Sequence, residues 1–326
     1  MLQYILRRLI QFIPVFFGVT LILFLVTTFL PGDPLQMKVG ERTIPKEQRA
    51  RMLHEYGLDK PWYVQYVDYL GNLAHGDLGQ SFASGQRVSK IIAETYPYTV
   101  SLALVAIMIE IVLGLSAGIV SAVKQYSFWD VLVTIATAIS VSLPVFWLGI
   151  LLQFTFGIWL KEATNGQLYL PISGVGALNS EFPSAAYYIL PGITLAAVST
   201  AYVARIMRSQ LLEVRSQDYV RTAYAKGLSG SSVLMRHQMK NALIPVVTFI
   251  GLDLGAMLAG AILTETVFNW PGIGYTIYRA IIARDYPVVF GGTIVILFAV
   301  MIVNLLVDIS YAFLDPRIRY GNAGSE

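Results

Sequence analysis

The sequence predicts an all-α integral membrane protein with six transmembrane helices, a small extracytoplasmic lobe and short helices in a cytoplasmic loop. Three observations carry that reading. Of 326 residues, 56% are hydrophobic and 13% charged, where soluble domains carry roughly 25% charged residues. Six apolar runs are long enough to cross a bilayer, which takes about 20 helical residues. Finally, Lys and Arg gather on one side of the alternation. Arg7, Arg8, Lys124, Arg317, Arg319 and the bases of Arg205–Pro245 fall inside, against Lys161, Arg279 and Arg284 in the two short external loops. An excess of Lys and Arg marks the side that stays in, so both termini are expected in the cytoplasm.

The elements follow in order. Residues 1–30 form the first span, its apolar run Leu9–Leu30 following Arg7 and Arg8. A cleaved signal peptide has an apolar region of only ~7–15 residues. The longer run, ending in Pro31-Gly32-Asp33-Pro34, is expected to be a retained anchor, and the arginine pair lacks the rest of a twin-arginine signal. Residues 31–98 form the extracytoplasmic lobe, with helical signals at Pro45–Tyr56 and Pro61–Leu73 and a turn at His75-Gly76-Asp77-Leu78-Gly79. The transmembrane core, 99–313, holds the remaining spans. These are Thr99–Val123, Asp130–Leu160 (interrupted by Pro144), Tyr188–Ala204 (extending towards Arg208), Ala242–Thr264 and Phe290–Phe313. Residues 314–326 are a cytoplasmic tail.

The loop 205–241 is too patterned for a tether. Arg205, Arg208, Arg215, Arg221, Lys226, Arg236 and Lys240 face only Glu213 and Asp218. Ser216 or Asp218 can cap a helix entering Tyr219–Lys226, and Gly227 suits its left-handed end. Ser229 to Ser232 offer a second cap for another short helix to about Lys240, with Asn241 and Pro245 marking re-entry into the bilayer. Two short helices hinged at a glycine make a docking element for another protein.

Other residues bound the chemistry. No cysteine is present, which excludes disulfides, thiolate metal sites and a Cys nucleophile, and His54, His75 and His237 are too scattered for a zinc motif. The net charge of +3 is modest; membrane lipid, not nucleic acid, is the expected surroundings. No phosphate-cradling glycine loop, H-E-x-x-H or G-x-S-x-G occurs, so the chain is expected to be no ATPase or hydrolase, with no catalytic, metal or cofactor-binding residue. Glu110, Asp253 and Asp308 fall inside apolar runs, where an ionisable group must face the bundle interior, water or a partner. They read either as a polar translocation path or as helix contacts. Gly114 and Gly118, like Gly251 and Gly255, have the spacing that lets helices approach closely, within one subunit or against a second. The segment from Glu265 to Gly274 reads as a loop dipping into the outer mouth or as an interfacial turn, with Trp270 suited to the interface. Glu265 and Trp270 join Glu110 and Asp253 as candidates for the path.

Asp218-Tyr-Val-Arg-Thr-Ala-Tyr-Ala-Lys-Gly227 resembles the cytoplasmic EAA loop of ABC importer permeases. More closely, the chain resembles the first permease subunit of the dipeptide/oligopeptide/nickel family. The resemblance runs from Tyr4-Ile-Leu-Arg-Arg-Leu9 and Tyr56-Gly-Leu-Asp-Lys-Pro61 through Asn241-Ala-Leu-Ile-Pro245 and Asp285-Tyr-Pro287 to Asn304-Leu-Leu-Val-Asp308 and Asp315-Pro-Arg-Ile-Arg319. It implies a type I ABC importer-like fold in the bacterial inner membrane and a heterodimer with a second homologous permease. It also implies two ABC ATPase subunits that bind ATP and Mg, and an extracytoplasmic solute-binding protein. The coupling residues would be Asp218, Arg221, Thr222, Ala223, Lys226, Gly227, Asn241 and Pro245. Arg221-Thr222-Ala223 stands where the broad pattern has Glu-Ala-Ala, and Pro245 lies further from Gly227 than that pattern places it. The implied cargo is di- or oligopeptide, with nickel-chelate or glutathione as alternatives on the same architecture. A proton-coupled secondary transporter using Glu110 or Asp253 is the rival reading; such folds usually carry internal repeats, and none is evident. A membrane scaffold or receptor would leave the hinged basic loop without a task.

Overall fold

A computed structural model describes residues 2–29, 45, 47, 50, 51, 54, 59–176 and 181–314. The helix expected over Pro45–Tyr56 (isolated positions aside), the Pro31–Pro34 turn and the tail with Arg317 and Arg319 lie outside the described residues. The helices are α1 (Leu2–Phe29), α2 (Trp62–Ala74), α3 (Val88–Val123), α4 (Phe128–Ser142), α5 (Val145–Ala163), α6 (Ile189–Arg215) and α7 (Asp218–Ala225). Next, α8 joins Gly230–Val233, a π-helical turn at Leu234–Gln238 and Met239–Gly260 without a break. Then come α9 (Ile262–Val267), α10 (Ile273–Ile282) and α11 (Tyr286–Leu314). Among the described residues, strand pairing is limited to an isolated bridge between Gln80 and Arg87. Among the described residues, six stretches are long and apolar enough to span a membrane: Leu6–Val26, Val88–Val123, Val145–Ala163, Ser184–Arg215, Gly230–Leu258 and Tyr286–Ile309.

Several boundaries differ from expectation for identifiable reasons. α3 starts at Val88, within the expected lobe, and carries Pro97 inside it. Its 36 residues, at about 1.5 Å each, reach well beyond a ~30 Å hydrocarbon core. The expected third span is two helices. Leu143 is extended (φ −89°, ψ 133°), as the residue before a proline is driven to be, and Pro144 opens α5. The second short helix of the basic loop is not separate; it is the beginning of α8, and Pro245 lies inside that helix. The helix α10 begins at the end of the Glu265–Gly274 segment expected as a loop or interfacial turn, and it is amphipathic. Ile273, Ile277 and Ala280 recur on one face and are buried, the spacing of an apolar helical stripe.

The described chain forms two compact units. One comprises Leu2–Pro97 and Gly272–Phe298. Its core gathers Val88, Ile92, Ile273, Ile277, Ala280 and Val288. Thr20 Oγ1 on α1 lies 3.0 Å from Tyr66 Oη on α2, tying those helices together. The His75–Gly79 turn forms as expected, with left-handed Gly76 and Gly79 and the Gly79 N–H donating to Asp77 Oδ1 at 2.9 Å. Asp285 knots this unit: Ser81 Oγ and the N–H groups of Phe82 and Ala83 all donate to its carboxylate. It is held there by Arg284, whose φ of 53° ends α10 with the Asp285 N–H on Ala280 O and the Arg284 N–H on Ile281 O.

The other unit comprises Tyr98–Pro271 and the segment from Ala299, with α6 at its centre. One core cluster joins Val203, Met207, Leu211 and Val214 of α6 to Val220 and Ala223 of α7 and Val233, Ala242 and Val246 of α8. A second joins Ala103, Ala106 and Ile107 of α3 to Ala196, Met257 and Leu258.

Candidate coupling site

Helix α7 is short because its ends are chemically marked. It starts after extended Gln217, and no side chain caps it. Ser216, expected as a cap, instead donates its hydroxyl to Glu213 O at the end of α6, because the chain turns between the helices within two residues. Asp218 occupies the first turn, where a negative charge faces the positive end of the helix dipole. At the other end Gly227 has φ +78°. Its N–H donates to Tyr224 O at 2.9 Å and the Leu228 N–H to Ala223 O at 3.4 Å, the paired bonds of a Schellman closure.

The helix has two unlike faces. Val220 and Ala223 are buried against α6 and α8. Asp218, Arg221, Thr222, Tyr224 and Lys226 are exposed. Arg221 Nη1 lies 3.5 Å from Asp218 Oδ1, and Thr222 Oγ1 donates to Asp218 O, so the exposed face is internally braced. Asn241 Nδ2 donates to Tyr219 Oη at 2.7 Å and thereby pins α7 to α8. The small side chain at Ala223 packs inside this chain. At Gly227 nothing lies within 4 Å of an added Cβ, so its backbone angle, rather than crowding, requires glycine.

A carboxylate that the sequence reading passed over organises the same end of this unit. Asp130, in the first turn of α4, is buried. Arg208 on α6 donates Nε to Oδ1 at 2.8 Å and Nη2 to Oδ2 at 2.9 Å. Ser121 at the end of α3 donates its hydroxyl to Oδ1, and the Tyr126 N–H donates to Oδ2 at 2.9 Å. The signal for it was present: both charges fall at the same end of neighbouring apolar runs.

The residues proposed for a path separate into two places. Glu110, in the π-helical turn Glu110–Gly114 of α3, is wholly buried with neither carboxyl oxygen hydrogen-bonded. Half-buried Asp253 on α8 lies within electrostatic reach of it, and its Oδ2 is also buried and unbonded. Glu265 and Trp270 are brought together elsewhere, in a packed brace. Thr99 Oγ1 donates to Glu265 Oε1 at 2.6 Å, the Trp270 N–H donates to Glu265 O at 2.8 Å, and Trp270 Nε1 donates to Tyr98 O at 3.0 Å. Tyr188 meets the Trp270 ring edge-on with centroids 4.6 Å apart. Trp270 is 0% exposed, so it is no interfacial ring; its N–H finds a carbonyl inside the fold instead of water.

The glycine pairs face helices of this same chain. A Cβ on Gly114 would lie 2.7 Å from Val203 Cγ1, and one on Gly118 would lie 2.6 Å from Met207 Cβ. Gly251 and Gly255 abut Val307 and Asn304 of α11 in the same way.

Comparison with known proteins identifies the family. Residues 110–320 match the family described as "Binding-protein-dependent transport system inner membrane component", and residues 1–103 match its N-terminal companion family. The di/tripeptide transport system permease protein DppB of Pseudomonas aeruginosa (strain UCBPP-PA14) is 42% identical, over 98% of this chain and 99% of that protein. The dipeptide permease DppB of Escherichia coli (strain K12) is 39% identical over the same shares. The oligopeptide permease AppB of Bacillus subtilis (strain 168) is 36% identical, over 98% of this chain and all of that one. In fold, the chain is similar to the inward-facing MetNI methionine ABC transporter, with a TM-score of 0.54 at 15% identity, over 70% of this chain and 97% of that one. The chain thus belongs to the inner-membrane components of binding-protein-dependent transport systems, as a multi-pass, all-α permease.

Proposed function

We propose that the chain is one of two membrane-spanning subunits of an ATP-driven importer of di- and oligopeptides. It pairs with a second, homologous permease and two ABC ATPase subunits, which hold ATP and Mg. An extracytoplasmic solute-binding protein delivers the cargo. Both termini and α7 lie on the cytoplasmic side. The supporting observation is α7 itself: eight residues whose apolar face is sunk into α6 and α8 and whose charged face stands free. That is the form a rigid contact needs when it must transmit force without being a span.

In this reading the exposed Asp218, Arg221, Thr222 and Lys226 meet an ATPase subunit. Gly227 lets the chain turn sharply behind them, and Asn241 and Pro245 belong to the α8 segment against which α7 is pinned. ATP acts by binding one global state of the assembly better than the other. Because α6 continues directly towards α7, displacement of α7 tilts α6. The cavity between the permease subunits then alternates between facing outward, where the binding protein releases peptide, and facing inward. Glu110 and Asp253 supply polar groups inside the bundle that the cargo path uses. Peptide cargo is supported by relatives that are peptide permeases over nearly their whole length.

The test is ATP hydrolysis by the reconstituted complex with its binding protein. Di- and tripeptides should stimulate hydrolysis and accumulate in the vesicles. Stimulation by a nickel chelate or glutathione alone would displace the peptide assignment, and uptake by the isolated chain driven by a proton gradient would overturn the importer reading.

A further inference from the structure

The helix α4 has an unusual attachment. Of its 15 residues, only Asp130 and Thr137 are buried; Phe128, Val131, Leu132, Ile135 and Ile139 are exposed apolar side chains. α4 lies along α6 and the last turns of α3 while turning most of its side chains away from them. Its first turn is fixed by the Asp130 carboxylate, which accepts from Arg208 twice, from Ser121 and from the Tyr126 backbone. A fork-to-carboxylate pair sets direction as well as distance, because both donors must be aligned. Tyr126 has φ +63°, a conformation a tyrosine adopts only under constraint, and it turns that N–H onto Asp130.

The position of Arg208 gives this bond its consequence. It lies two turns before the end of α6 at Arg215, and the next residues of α6 towards that end, Leu211 and Val214, pack on Val220 and Ala223 of α7. A push on α7 therefore passes to α6 through a packed core, and from α6 to α4 through the contact between the two helices, to which the ion pair adds a fixed direction. Beyond α4 the chain breaks at Leu143–Pro144 and enters α5.

We propose that Asp130 and Arg208 form a clasp that carries movement of α7 and α6 onto α4 and α5, making both positioning residues for coupled transport. The proposal rests on α7 being the ATPase contact.

The natural chain has no cysteine, so Asp130→Cys with Arg208→Cys places just two thiols in this chain. With the thiols free, the complex should retain its ATPase subunits, while peptide moved per ATP hydrolysed falls by about fivefold or more, within the range usual for coupling between sites. Bridging the thiols with a short bifunctional reagent should restore the ratio. Arg208→Lys keeps the charge but not the fork and should give an intermediate ratio, which serves if the double variant fails to fold. A wild-type ratio with free thiols, no recovery on bridging, or loss of the ATPases from Arg208→Lys would each overturn the clasp. Arg221→Glu, on the open face of α7, separates the two claims. ATPases retained by that variant defeat the docking reading, whereas a wild-type ratio in the clasp variants defeats the clasp alone.

Discussion

Replacing Gly118 by alanine tests the packing of α3 on α6 with a single methyl group. That methyl would meet Met207 Cβ at 2.6 Å and the Ala204 carbonyl oxygen at 2.7 Å. Neither neighbour can rotate away, since one is the first carbon of its side chain and the other is backbone. Restoring an ordinary ~3.5 Å separation requires the helices to part by about 0.9 Å. Met207 is fully buried, and Val203 and Leu211 share its cluster, so parting loosens contacts along α6. Overpacking of this kind costs about 1–3 kcal/mol. Gly71→Ala in α2 is the matched control: nothing lies within 4 Å of its Cβ, so removing a helix-interior glycine should gain about 0.5–1 kcal/mol. Unfolding midpoints of the purified complex in detergent read both variants. Equal stability of Gly118→Ala and the natural protein would refute the close approach of α3 and α6.

Other substitutions probe separate parts of the account. Trp270→Phe keeps a six-membered ring but removes the fused ring that carries the donor to Tyr98 O, and should cost less than the ~3–5 kcal/mol of Trp270→Ala, both read by unfolding. Asp285→Ala strands Ser81 Oγ and the N–H groups of Phe82 and Ala83. It should destabilise that turn by about 2 kcal/mol and speed its proteolysis and amide exchange while leaving exchange in α7 unchanged. At Gly227, with φ +78°, Gly227→Asn should retain more transport than Gly227→Val, since asparagine tolerates the left-handed region and a β-branched residue does not; equal transport by the two would show that backbone geometry is not what the site requires.

Long apolar runs made the spans legible, because the bilayer demands uninterrupted helix whatever the neighbours do. The closure of α7 at Gly227 was equally legible, since a local backbone angle needs no tertiary information. Elements decided by distant partners were not. The start of α8 looks like a broken loop, with Gly230-Ser231-Ser232, Asn241 and Pro245 in succession, yet burial of Val233, Ala242 and Val246 overrides those weak local preferences. α10 was hidden by Pro271 and Gly272 just before it and by Gly274 in its first turn. The tie between Asp130 and Arg208 joins residues 78 apart in the chain, and only packing shows that they meet. Trp270 was assigned to the interface by its residue type, whereas its surroundings bury it.

Cross-linking from the exposed face of α7 tests the central claim most directly. Thr222→Cys supplies the sole thiol of an otherwise cysteine-free chain. In the intact importer it should react with impermeant reagents from the cytoplasmic side and, through a short cross-linker, join this chain to an ATPase subunit in a manner that changes with ATP. Labelling from the outside, or a cross-link indifferent to the presence of the ATPase subunits, would contradict a force-transmitting contact at α7.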